Sequence, residues 1–283
     1  MNFTELNDLL AAGGDSPEHR LQTYLEYLCR NYRVGLNFHD IAGVSQINEA
    51  LGRSLEPYLY HNNPFCNYLK KFEITEKTCA RSKEVLCRLC RKQQSAFYGM
   101  CYMGIEELRY PIRWNGRLIA FLCVGQFCSD EPAALERLAE NAHKFQLDQG
   151  EIRNRFLKTA RKLDFDVQSF SVLVGMLVEY LSGLYGKFLL SSSAGGNLEQ
   201  LAERHKQNYI VARTLAYVNE HFARNLSLKS LAAICYCNET YLSAIFREKT
   251  GQTLTDYIQS KRISQAKKLL DVSALSITEI AFQ

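Results

Sequence analysis

The stretch from Ser227 to Gly251 leaves this chain the least freedom. Ser227 suits a helix N-cap, and Leu228 to Cys235 follows as a short helix. Cys235-Tyr236-Cys237 leaves room only for a tight turn. Asn238 is a second N-cap, opening a helix over Glu239 to Lys249 in which Leu242, Ile245 and Phe246 share one face. Gly251 ends that helix, because glycine enters the left-handed conformation without steric cost. Ala232 and Ala233 are small enough to let the second helix cross closely. Glu239, Thr240, Ser243, Ala244 and Arg247 lie largely off the apolar face. This is the spacing of a helix-turn-helix, and also of many small helical bundles.

The identities of the residues go further than their spacing. Leu231-Ala232, Tyr241-Leu242-Ser243, Phe246, Thr250-Gly251, Tyr257, Arg262-Ile263, Ala266 and Leu269-Leu270 follow one another as in the AraC-type DNA-binding domain, which this segment resembles. One departure is the turn, where the usual Gly-x-Ser is here Cys235-Tyr236-Cys237-Asn238. The resemblance implies that Glu239 to Lys249 enters the major groove of double-stranded DNA. Glu239, Thr240, Ser243 and Ala244 would then face base edges, and Arg247 and Lys249 would touch phosphate. Arg262 is expected to make a structural or backbone contact on the connecting helix, Leu254 to Leu270. Ser276-Ile277-Thr278-Glu279 is a capping box that opens one more helix. The family carries a second helix-turn-helix at this point, whose recognition helix is absent before Gln283, so the sequence reads as truncated there.

Charge placement agrees with a nucleic-acid partner at the C-terminal end. Residues 205–283 hold 10 Lys/Arg against 6 Asp/Glu, while the other 204 residues hold 24 of each, so the formal excess of +4 lies entirely in this part. No apolar run reaches the roughly 18 residues of a membrane span. The N-terminus lacks the layout of a secretory signal. A cytoplasmic protein without a membrane partner is expected. The small-residue cluster Ser191 to Gly196 reads as a linker. The expected organisation is a sensor over residues 1–190, a linker over 191–204 and a DNA-binding domain over 205–283.

Before the linker the pattern is mixed. Glu18 to Tyr32 reads as a helix and Gly35 to Ile41 as a strand. Asn115-Gly116 between two apolar runs, Leu108 to Phe127, is a type I′ hairpin signal. Helices are expected over Glu131 to Phe145, Glu151 to Leu163 and Val167 to Leu190. Leu198 to Phe222 has helical spacing that suggests two pieces. The fold class that follows is an α+β domain on an antiparallel sheet, then an all-α helix-turn-helix domain.

Five of the ten cysteines fall in one window: Cys66, Cys79, Cys87, Cys90 and Cys101. Cys87 and Cys90 form a CxxC on a predicted helix. Such thiolates suit zinc or an iron–sulfur cluster, or a redox dithiol; buried packing is the competing reading. Pro64-Phe65-Cys66, Cys79, the run Gly99 to Leu108, Pro111-Ile112, Asn115-Gly116 and Gly125-Gln126 together resemble the PocR sensory domain. Cys66, Cys79 and Cys101 match that family's cysteines; Cys87 and Cys90 do not. The resemblance implies a PAS-like fold sensing small hydrocarbon derivatives such as short alcohols or diols. Its cavity would lie between the hairpin sheet and the preceding helical segment, with Tyr98, Tyr102, Tyr110, Trp114 and Gln126 as lining residues.

The expected function is a transcription regulator controlled by a small-molecule effector, acting as a homodimer and recruiting RNA polymerase if it is an activator. Helix Val167 to Leu190 is either its dimer seam or a core helix of its own domain. A metal- or redox-sensing regulator built on Cys66, Cys79 and Cys101 is the alternative. A CxxC thiol oxidoreductase is more distant, since no βαβ pattern frames Cys87 and Cys90. No catalytic residue set is recognisable.

Overall fold

A computed structural model of the chain describes residues 17–59, 61, 63–192, 197–272 and 276–281. The sensor begins with α1 (Pro17–Asn31), which turns directly into β1 (Gly35–Asp40). Two short helices follow, α2 (Glu49–Leu55) and α3 (Pro64–Leu69), and then the longer α4 (Glu73–Lys92). The chain then forms β2 (Phe97–Met100), β3 (Glu106–Trp114) and β4 (Arg117–Phe127). Helices α5 (Glu131–Lys144), α6 (Gln149–Thr159) and α7 (Val167–Ser192) complete this part. The remainder is helical: α8 (Leu198–His221), α9 (Leu228–Ile234), α10 (Glu239–Thr250), α11 (Leu254–Val272) and α12 (Ile277–Ala281).

The four strands form one antiparallel sheet in the order β1-β4-β3-β2. The hairpin turn is as expected: Asn115 and Gly116 have φ of 46° and 74°, both positive as a type I′ turn requires. Pro111 is tolerated inside β3 because β2 pairs only as far as Arg109, so the Pro111 nitrogen faces no ladder partner on that side.

Period-two alternation sorts the sheet into two faces. Leu36, Phe38, Leu108, Tyr110, Ile112, Leu122 and Val124 form one core with α1, α2 and α7. On α7 the stripe Phe170, Val174, Leu177, Leu181, Tyr185 and Leu189 is buried in that core. By length and composition α7 also satisfies the criteria for a membrane span. The buried stripe shows it instead serving as a core helix of its own domain. Its other side leaves Val172 (65% exposed) and Met176 (59%) uncovered.

The opposite face of the sheet carries His39, Phe121, Cys123, Glu107 and Arg109, with α4 packed against it. The helix-turn-helix has its own core, in which Leu231, Leu242, Ile245 and Phe246 meet Ile210, Val218 and Ile258. Helix α8 is one continuous helix, not two pieces. Its first turns, at Leu198, Leu201 and Ala202, pack on the sensor core, while Tyr209, Ile210 and Val218 enter the second core. Of the expected linker, residues 193–196 lie outside the described residues. Asn197 caps α8, accepting from the Glu199 N–H at 2.9 Å.

Candidate functional site

The recognition surface follows from local capping. The Ser227 hydroxyl and Ser230 exchange hydrogen bonds at the start of α9. Asn238 Oδ1 accepts from the Tyr241 N–H at 2.7 Å and starts α10. Gly251, at φ 75°, ends it as expected. Burial of Leu242, Ile245 and Phe246 turns Glu239, Thr240, Ser243, Ala244, Arg247 and Lys249 outward, and all six are exposed. Arg262 donates to the carbonyls of Phe222 and Arg224, both at 2.8 Å, and so ties α11 to the end of α8. The capping box at Ser276 is formed, with the Ser276 N–H donating to Glu279 at 2.8 Å.

The sensor holds a cavity of about 250 Å³ between α3, α4 and the polar face of the sheet. Phe65, Leu69, Leu86, Met103 and Ile105 give it apolar walls; His39, His61, Lys70, Lys83, Glu107 and Arg109 give it a charged and polar end. Glu107 and Arg109, each 7% exposed, face one another at 3.6 Å. Arg109 Nε and His39 Nε2 are buried without a hydrogen-bond partner. Burial lowers the pKa of both histidines, His61 to about 3, and the neighbouring cations Lys83 and Arg109 push the same way. Both rings are therefore neutral at physiological pH.

Of the aromatic and amide residues expected to line this cavity, Tyr102 does. The other four are placed elsewhere. Tyr98 is half exposed and donates to Glu106 at 2.5 Å. Tyr110 lies on the opposite face, 2.9 Å from the Ser171 hydroxyl. Trp114 packs edge-on to Tyr185 over Gly186. Gln126 lies over Gly35. The physical reason is register: a residue's face is set by strand pairing, not by its type.

The cysteine window is split. Cys66, Cys79 and Cys101 line the cavity, whereas Cys87 and Cys90 are buried with Ile41, Phe121 and Cys123. Among the described residues no group of three or more His, Cys, Asp or Glu side chains is placed to hold a metal ion. Burial pushes the thiols of Cys66, Cys90 and Cys101 up to about 12 and raises that of Cys87. At neutral pH these four remain thiols, so none of them is an activated nucleophile. As placed, the described side chains do not form the ligand set of a zinc or iron–sulfur site.

A third feature joins the other two. Tyr236, in the turn between α9 and α10, is buried against α4 and the sheet with Leu86, Cys87 and Phe121. Its hydroxyl is 2.6 Å from His39 Nδ1, and its carbonyl accepts from Arg91 at 3.0 Å. His39 stacks on Phe121, with ring centroids 4.3 Å apart. Around this contact Arg213 lies over the Tyr236 ring and donates to the Asp40 carbonyl at 3.2 Å. His205 meets the Gly43 carbonyl at 2.9 Å. A Cβ on Gly43 would lie 2.9 Å from Tyr209, and its φ of 82° also demands glycine. Arg224 pairs with Glu76 at 3.3 Å. Sequence reasoning did not single out His39, Lys83, Arg109 or Tyr236. For Tyr236 the available signal was a bulky side chain where such turns often carry glycine.

A helix-turn-helix with an exposed recognition face, joined to a cavity-bearing sensor, defines a DNA-binding transcription regulator. Comparison with known proteins supports that class. Residues 34–185 match the sensory domain found in PocR, and residues 231–283 match an AraC-type helix-turn-helix domain. The chain belongs to the PocR sensory-domain family. It is 21% identical to the regulatory protein PocR of Salmonella typhimurium, over 79% of this chain and 74% of that protein. Two Bacillus subtilis proteins are similar in the C-terminal region. The bifunctional transcriptional activator/DNA repair enzyme AdaA is 37% identical over 23% of this chain and 31% of its own length. The HTH-type transcriptional activator Btr is 28% identical over 29% of this chain and 16% of its own length. The likeness to AdaA covers the helix-turn-helix region alone, so it brings no repair activity with it. No solved structure matches the chain significantly.

Proposed function

We propose that this chain is a cytoplasmic, homodimeric regulator in which a small molecule bound in the sensor cavity controls how α10 engages double-stranded DNA. One observation carries this reading: His39 lines the cavity and is also the hydrogen-bonding partner of Tyr236 in the helix-turn-helix turn. A ligand that displaces His39 therefore acts on the turn through one residue. A differential interaction of this kind is what a ligand needs in order to shift a conformational equilibrium. Helix α8 continues from the sensor core into that of the helix-turn-helix, which gives the change a path between them. On α10, Glu239, Thr240, Ser243 and Ala244 would read bases while Arg247 and Lys249 contact phosphate. The uncovered side of α7, with Val172 and Met176, would supply the dimer seam.

The test uses the full chain and a duplex that it selects from a random library. Ligands are found by thermal shift, since a molecule that binds the folded state raises its melting point. DNA affinity is then measured with and without each ligand, in the wild type and in His39→Phe. The reading requires an affinity change that is lost in His39→Phe. A ligand that occupies the cavity and leaves DNA affinity unchanged refutes it.

A further inference from the structure

We propose that the sensor cavity takes an anionic small molecule, its carboxylate or phosphate group seated among Lys83, Arg109 and His39 and its apolar body along Phe65, Leu69 and Met103. The inference rests on the effector reading above and names the chemistry of that effector. The polar end of the cavity is unbalanced. Three basic side chains, Lys70, Lys83 and Arg109, line it against the single carboxyl of Glu107. Glu107 is already taken by Arg109. Lys70 donates to the His61 carbonyl at 2.7 Å. Lys83 makes no hydrogen bond or ion pair among the described residues, and the carboxyl that feels its charge, Glu107, is the one already held by Arg109.

The unpartnered groups are also of one kind. Arg109 Nε is a buried donor without an acceptor. The tautomer of His39 follows from its neighbour. Burial keeps the Tyr236 hydroxyl protonated, and that proton needs an acceptor, which His39 Nδ1 provides. The neutral ring then carries its own proton on Nε2, the nitrogen that is buried without a partner. An ammonium, a guanidinium N–H and an imidazole N–H all seek an acceptor, and an anionic oxygen group satisfies all three. An alcohol or diol offers acceptors too, but brings no negative charge to three cations that share one carboxyl. Burial is the main cause of the lowered titration of His39 and His61, and the charge of Lys83 is the next one.

The experiment is calorimetric titration of the full chain with straight-chain carboxylates from propanoate to octanoate, the corresponding alkyl phosphates, and the 1-alcohols and 1,2-diols of equal length. The expected result is binding of a carboxylate or alkyl phosphate at least tenfold tighter than the alcohol and diol of equal length. That advantage should disappear in Lys83→Met and return in Lys83→Arg. Parity between acids and alcohols, no binding by any acid or phosphate, or an advantage that survives Lys83→Met overturns the proposal. Repeating the DNA titration with the same compounds separates the two readings. Anions that bind without changing DNA affinity refute the regulatory reading alone, and diols that bind and change it refute the anionic site alone.

Discussion

Removing one oxygen from the joint between sensor and helix-turn-helix gives the sharpest test. Tyr236→Phe keeps the ring packed against Phe121 and removes the hydroxyl 2.6 Å from His39 Nδ1. His39 is 2% exposed, so water does not replace the lost partner. Its other nitrogen is already without one. A buried polar atom left unsatisfied costs about 1–3 kcal/mol, or roughly 5- to 150-fold in the equilibrium between docked and undocked turn. Hydrogen exchange should therefore speed up in the amides of α9 and the turn. The change that an effector produces in DNA affinity should shrink by a similar factor. His39→Phe supplies the control, since its ring can still stack on Phe121. In that background Tyr236→Phe should cost much less, because the shared hydrogen bond is already gone. Equal cost in both backgrounds, or unchanged exchange and effector response in Tyr236→Phe, would refute this account of the joint.

Three further outcomes follow from the same structure. Arg247→Ala should weaken binding to all duplexes alike and reduce the slope of log affinity against log salt by about 0.9, whereas Ser243→Ala should change preference at one base pair by about 1–3 kcal/mol; a salt titration and a selection experiment read these. His39 and His61 have folded pKa values lowered by burial and by nearby cations, so below about pH 6.5 the unfolded chain binds more protons than the folded one. Their contribution is complete above that pH and is lost as pH falls through 6.5 towards the folded values, with a slope of about 1.4 kcal/mol per pH unit for each ring. Urea midpoints at pH 7.5 and 5.5 should show the loss, and His61→Gln should reduce it. Val172→Glu with Met176→Glu places charge on the uncovered side of α7 without touching its buried stripe. Sedimentation velocity should then show a dimer for the wild type and a monomer for this variant, and the same species for both would exclude that seam.

Strong local chemistry was legible in the sequence, and placement across the sheet was not. Asn115-Gly116, Ser227, Asn238 and Gly251 each act on their own neighbours, so the hairpin and both helices of the motif appear with nearly the expected ends. Helix α8 looked broken because Glu203 to Asn208 interrupts its apolar spacing. Those polar residues bridge two separate cores that the sequence does not announce. Strand β2 escaped notice because it is a four-residue edge strand of alternating exposure, with Gly99 beneath the Arg109 guanidinium. The cavity was sought among aromatics, while the better signal was the alternation Glu107-Leu108-Arg109-Tyr110. A charged residue at every second position of a fully buried strand marks a polar face that needs partners.

The turn shows how the two domains constrain one another. Tyr236 has φ of 56°, a left-handed conformation that costs a residue with a Cβ about 1–2 kcal/mol. Glycine there would remove that strain and also the ring. Burying an aromatic ring of this size is worth about 1.5–3 kcal/mol, and the hydrogen bond to His39 adds about 1 kcal/mol. The strain is the same whether or not the turn is docked, so docking gains both contributions, about 2.5–4 kcal/mol, of which a ligand that takes His39 can withdraw the hydrogen-bond part. Away from the sensor the same turn keeps its strain and loses the compensation. A residue unsuited to the motif alone is thus stabilising in the assembled chain, and the hydrogen bond to His39 is the part of that balance within reach of the cavity.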